Sequence, residues 1–220
     1  MSRILSKTHA VPTLLICTSL LCAVLGGCQI LGLIAAKAEG SSPVPAAYVP
    51  KKVPTLVLAE HSPTSGVDDV SSEDIGRRTA DFWNDHKLSP LIDLDKLEQL
   101  RLDRPDDYYK MSTVAIGRAL GAAQVLYIDV RDSHDESAGG SETIRAKASA
   151  RVRLIDVATG RTLWPPDAAA GYAVDAETAY GARGEGISES TQMEQVRAMI
   201  ADSIVKLFYD HQPDNDAPAP

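Results

Sequence analysis

Few of the side chains able to do chemistry stand at spacings that would let them act together. His61 follows a short apolar run, the place where α/β folds carry loop ligands and catalytic groups, and it is the residue a hydrolase would use. The simpler reading is an ordinary polar residue that opens a Ser/Pro/Thr loop. His134-Asp135-Glu136 has metal-binding residue types, but adjacent positions in an acidic loop rarely converge on one ion. His86 follows Asp85 at a helix end, where an imidazole favours the dipole, and His211 stands near the tail. The paired carboxylates Asp68-Asp69, Glu73-Asp74 and Asp106-Asp107 fall in loops or first helical turns, where acidic groups cap helices. Gly181-Ala182-Arg183-Gly184-Glu185-Gly186 offers backbone amides to an anion, yet no Gly-Lys-Ser/Thr follows and Glu185 opposes phosphate. No serine occupies a Gly-x-Ser-x-Gly elbow. The expectation is a chain without catalytic residues, metal site, cofactor or small-molecule substrate.

A basic stripe stands out against the formal net charge of −8. Between Glu142 and Val157 residues alternate, so Arg145, Lys147, Arg151 and Arg153 project to one side of a strand and Ile144 to Leu154 to the other. Three readings of that stripe stay open. It pairs with carboxylates on neighbouring strands, such as Asp129; it meets an acidic partner protein or glycan; or it faces anionic lipid heads. The acidic total argues against nucleic acid.

Cys28 closes Leu25-Gly26-Gly27-Cys28 behind a basic start (Arg3, Lys7) and an apolar run from Val11 to Leu25 that is short for a membrane span. This layout resembles a bacterial lipoprotein signal, with 1–27 cleaved and Cys28 lipidated, for instance with palmitate. Cys17 and Cys22 leave with the signal, so no disulfide framework is possible. Residues 28–50, with Pro43, Pro45 and Pro50, read as a flexible tether, residues 51–211 as one domain, and 212–220 as a disordered tail.

Within 51–211 the pattern predicts elements of both kinds. Strands are expected at Val53–Ala59, Leu88–Asp93, Ala123–Arg131, Glu142–Val157, Thr162–Trp164 and Tyr172–Tyr180. Helices are expected from a capping box at Ser71, over Leu94–Leu102, over Ser112–Leu120 before Gly121, and from a second capping box at Thr191. Asp132 to Ser141 reads as a loop. The sum is an α/β fold in which one mixed sheet packs with helices and keeps one face to solvent.

Three local signatures carry a resemblance: Ile116-Gly117-Arg118-Ala119-Leu120-Gly121-Ala122 leading into Val125–Val130, Ala150 to Gly160, and Thr162-Leu163-Trp164. Together they resemble the periplasmic group of the TolB amino-terminal domain, LpoB and CsgG. The resemblance implies a non-enzymatic, lipid-anchored envelope protein that assembles with or regulates another envelope protein. It also implies, as an alternative, a subunit of a CsgG-like secretion channel. Gln29 after the lipidated cysteine favours the outer membrane, with the domain facing the periplasm.

Overall fold

The computed structural model describes residues 42–61, 65, 67–138, 143–182 and 187–213. Cys28 and Glu142 lie outside them. Pro45 to His211 forms one compact unit, so ordered structure begins ahead of Lys51.

The architecture is α/β, with a six-stranded mixed sheet packed by helices. Strand β1 (Thr55–His61) leads to helix α1 (Asp69–Asp85), α2 (Leu94–Asp103), the single turn α3 (Pro105–Tyr108) and α4 (Thr113–Ala119). Then follow β2 (Gln124–Ala138), β3 (Thr143–Asp156), β4 (Thr162–Trp164), β5 (Tyr172–Glu177), β6 (Gly181–Ala182) and α5 (Glu189–Lys206). The strand order is β1-β2-β3-β4, with β5 and β6 also pairing with β3. Among the described strands, β1 and β2 alone pair in parallel, because the intervening helices carry the chain back across the sheet. The other pairs are antiparallel.

Each sheet face is explained by alternation. Val57, Ala59, Leu126, Ile128, Val130 and the run Ala146 to Leu154 of β3 form one buried cluster with Ile75 and Trp83 of α1 and Val196, Ile200 and Ile204 of α5. On the opposite face Leu56, Leu58 and Val125 pack with Leu97, Tyr108 and Ile116. Helices therefore cover both sides of β1 and the start of β2, which corrects the expectation of one fully solvated face. Among the described residues, no helix packs on that second face over β3, β5 and the far half of β2, where the stripe side chains are half-buried.

Several expected boundaries move. Helix α1 begins before Ser71, because Asp68 is the N-cap and its Oδ1 accepts the Ser71 N–H at 2.7 Å. Helix α5 begins before Thr191, because Ser188 caps it by accepting the Thr191 N–H. The segment Leu88–Asp93 makes only an isolated bridge, Leu91 with Thr55; Pro90 has no N–H to offer a ladder. The largest change is at Asp132. Its polar segment is no loop through Ala138, for β2 continues past a register shift after Val130 and pairs with β3 as far as Ala138–Thr143. Gly121 and Gly160 take positive φ, 77° and 71°, at the turns that end α4 and follow β3.

Candidate functional site

The long β2–β3 pairing decides the surroundings of the basic stripe. In register, Arg153 stands across from Tyr127, Arg151 from Asp129, Lys147 from His134 and Arg145 from Glu136. On the other side, β5 sets Asp175 across from Ser149 and Glu177 across from Lys147. The stripe thus runs between two acidic rows, Asp129, Asp132 and Glu136 on β2 and Asp175 and Glu177 on β5. Residue alternation puts all of them on one face.

Contacts are densest around Glu136. Arg145 donates to it from Nε at 3.0 Å and Nη2 at 2.9 Å, and from Nη1 to Glu177 at 3.2 Å. Lys147 Nζ reaches the same carboxylate at 3.0 Å. Hydrogen bonds from Lys147 and Arg145 lower the Glu136 pKa to about 2. His134 Nδ1 lies 2.7 Å from Asp132 and its Nε2 lies 3.5 Å from Glu136. The Asp132 hydrogen bond raises the imidazole pKa above its ordinary value. His134 is therefore part of a charge ladder.

Arg151 and Arg153 are held differently. Arg151 donates to the Gly171 carbonyl at 3.3 Å and Arg153 to the Ala169 carbonyl at 3.4 Å. Arg153 also lies 5.0 Å from the centre of the Tyr127 ring, and Arg145 lies 4.5 Å from that of Tyr180, distances that suit cation–π attraction. Burial pushes the Tyr127 phenol up to about 12, with Glu60 and Asp129 adding to it. Asp129 is paired to Arg131 at 2.6 Å.

His61 does meet a serine and an aspartate. Its Nδ1 is 3.3 Å from Ser72 Oγ and 3.7 Å from Asp69 Oδ1. A hydrolytic triad needs the serine on one ring nitrogen and the carboxylate on the other, whereas here both approach Nδ1. Ser72 is buried and its hydroxyl donates to the backbone carbonyl of Asp69 at 3.0 Å. The group belongs to the first turn of α1, and it does not have the geometry of a nucleophile and base. Among the described residues, no group of three or more His, Cys, Asp or Glu is arranged to hold a metal ion. Of the glycine-rich segment, Gly181 and Ala182 form β6 and 183–186 lie outside the described residues.

The sequence reading passed over a buried polar chain at the start of β1. Gln124 Nε2 donates to Thr55 Oγ1 at 2.8 Å, Thr55 Oγ1 meets Ser89 Oγ at 2.6 Å, and Trp83 Nε1 donates to Ser89 Oγ at 2.9 Å. Ser89 lies in the expected strand Leu88–Asp93, and only the fold brings it under Trp83.

No model of a known protein family matches this chain, and no curated protein matches it. Solved structures are similar to it at low identity. One is the lipoprotein GNA1162 from Neisseria meningitidis, 16% identical with a TM-score of 0.46, covering 70% of this chain and 99% of its own. Another is the LpoB C-terminal domain from Escherichia coli, 16% identical with a TM-score of 0.35, covering 66% and 93%. A third is the PelC dodecamer from Paraburkholderia phytofirmans, 11% identical with a TM-score of 0.37, covering 74% and 94%.

Proposed function

We propose that this chain is a membrane-anchored envelope lipoprotein, lipidated at Cys28, that works without catalysis as an assembly or regulatory partner through protein contacts. The observation that carries this reading is the open half of the sheet. There β2, β3 and β5 display a two-signed charge ladder over a broad face, which suits contact with another protein surface. The arrangement at His61 supports the same reading, since its serine is buried and turned onto backbone. In this reading the anchor confines the domain near a membrane, most simply the outer one, and raises its effective concentration toward a periplasm-facing partner. Arg145, Lys147, Arg151 and Arg153 are the side chains proposed to orient that contact. A channel subunit gains little support from the β2–β3 ribbon. Arg131 to Glu136 are polar on both faces, and a barrel strand needs an apolar face toward lipid.

Expression of the full chain with Cys28→Ser tests the anchor. We expect loss of acylation and of membrane fractionation; a variant that is still cleaved, acylated and membrane-bound would remove the basis of the proposal. Crosslinking in cells at residue 151, followed by mass spectrometry, then tests the partner role, with one recurrent envelope protein expected.

A further inference from the structure

We propose that the end of the domain where the chain enters rests on an anionic lipid surface through Val49, Lys51, Lys52 and Lys87, turning the β2–β3 ribbon away from it. This rests on lipidation of Cys28 and adds an orientation to it.

The entering segment is held against the domain. Ala46 N–H donates to Asp210 Oδ1 at 2.9 Å and Tyr48 N–H to the Leu207 carbonyl at 3.1 Å, both just past the end of α5. Tyr48 packs against the core and Pro50 is buried. Lys51 offers its carbonyl to Gln124 at 3.1 Å, at the start of β2. The starts of β1 and β2 and the ends of α1 and α5 all meet here, as the contacts Thr55–Ser89 and Trp83–Phe208 show. The other end is distant: β2 runs eight residues beyond the last β1 pair, His61–Val130, or about 25 Å.

Only seventeen peptide steps separate Cys28 from Pro45. A chain of that length spans about 23 Å as a coil, less than the roughly 40 Å width of a domain of this size. At that average span the entry end is the part of the domain nearest the lipids, and the groups it presents decide whether it rests on them. The groups it presents fit such a surface. Val49 is 72% exposed. Lys51, Lys52 and Lys87 are exposed, and Lys52 Nζ donates to the Lys87 carbonyl, which holds the Lys52 ammonium beside the backbone of Lys87. Carboxylates are present as well: Asp85, Asp93 and Asp210 are exposed, and Asp93, Asp156 and Asp210 accept backbone N–H groups without losing their charge, so the lysines act as a local cluster and not through the net charge of this end.

The test uses the full lipidated chain in vesicles with about 30% anionic lipid and an energy acceptor on the headgroups. A donor is placed on Asn84→Cys, near the entry end, or on Asp135→Cys, on the ribbon. We expect at least about twofold greater transfer from position 84, falling toward the position 135 value in 0.5 M salt, in neutral vesicles and in Lys51→Glu/Lys52→Glu/Lys87→Glu. Melting of the triple variant checks that it is folded. Equal transfer from the two positions in anionic vesicles overturns the orientation. Greater transfer from position 84 that ignores salt, lipid charge and the triple variant overturns the lysine contact, leaving the short tether alone to orient the domain. Failure of the chain to float with any vesicle instead overturns lipidation at Cys28.

Discussion

Trp83 and Ser89 are joined by a buried hydrogen bond, indole Nε1 to Oγ at 2.9 Å, and through Ser89 the end of α1 is tied to Thr55 on β1. Both residues are buried, and Trp83 is fully so. Ser89→Ala would leave the indole N–H without its acceptor and remove one partner of Thr55. An orphaned buried donor costs about 1–3 kcal/mol, so the variant should unfold at clearly lower denaturant. Ser89→Thr, which keeps the hydroxyl, should recover part of the loss if the added methyl is accommodated. Equal stability of Ser89→Ala and the parent would mean that water replaces the serine.

Gly117 explains why the Ile116 to Ala122 signature has a glycine inside a helix. A Cβ there would sit 2.7 Å from Val125 Cγ2 and 2.9 Å from Val157 Cγ2, so α4 lies directly on the sheet. Gly117→Ala gains helix propensity of roughly 1 kcal/mol, but overpacking costs about 1–3 kcal/mol. The balance should be destabilising. Val157→Ala in the same chain should return part of the loss, because it clears one of the two contacts. Denaturation of the single and double variants measures both effects.

What was legible in the sequence follows from how local each signal is. The alternation of β3, the strand at Val125 to Val130 and the apolar faces of α1 and α5 depend on period alone, and the structure carries all of them. The strand nature of Asp132 to Ala138 was not legible, since Asp, Ser and Glu favour loops. Pairing along β3 overrides that tendency, Glu136 meeting Arg145 and Lys147. The two helix starts were misplaced for a related reason. Ser71 and Thr191 are capping residue types, but in each case the residue three positions earlier, Asp68 or Ser188, takes the N–H. The acidic rows flanking the stripe needed the register of three strands, which no single segment encodes.

Glu136 should report its two cations in a titration. Its pKa in the fold is about 2, below the ordinary carboxylate value, so the sign is that of a depressed acid. The stabilising contribution is present above the unfolded value of about 4.3 and is lost as pH falls through about 2. A carboxyl NMR titration should place the Glu136 midpoint well below those of the exposed acids. Arg145→Gln with Lys147→Gln should move that midpoint upward, part of the way to the ordinary range, because His134 stays beside the carboxylate. A midpoint already ordinary in the parent would show that the ladder is not formed in solution.

The last expectation concerns Arg151 and Arg153. Reversal of both, Arg151→Glu with Arg153→Glu, places a carboxylate across from Asp129 and removes the guanidinium over Tyr127. Like charges directly opposite on neighbouring strands are destabilising by about 0.2–1 kcal/mol for each pair. The double variant should therefore melt lower, and the loss should shrink in 1 M salt, where screening acts within about 3 Å. Arg151→Gln with Arg153→Gln keeps the side chains polar without the repulsion and should fall less. These variants also separate a structural ladder from a recognition surface. If the stripe only holds the sheet together, the glutamine pair retains capture of the crosslinked partner. If the arginines themselves bind that partner, the glutamine pair loses capture although it melts only slightly below the parent.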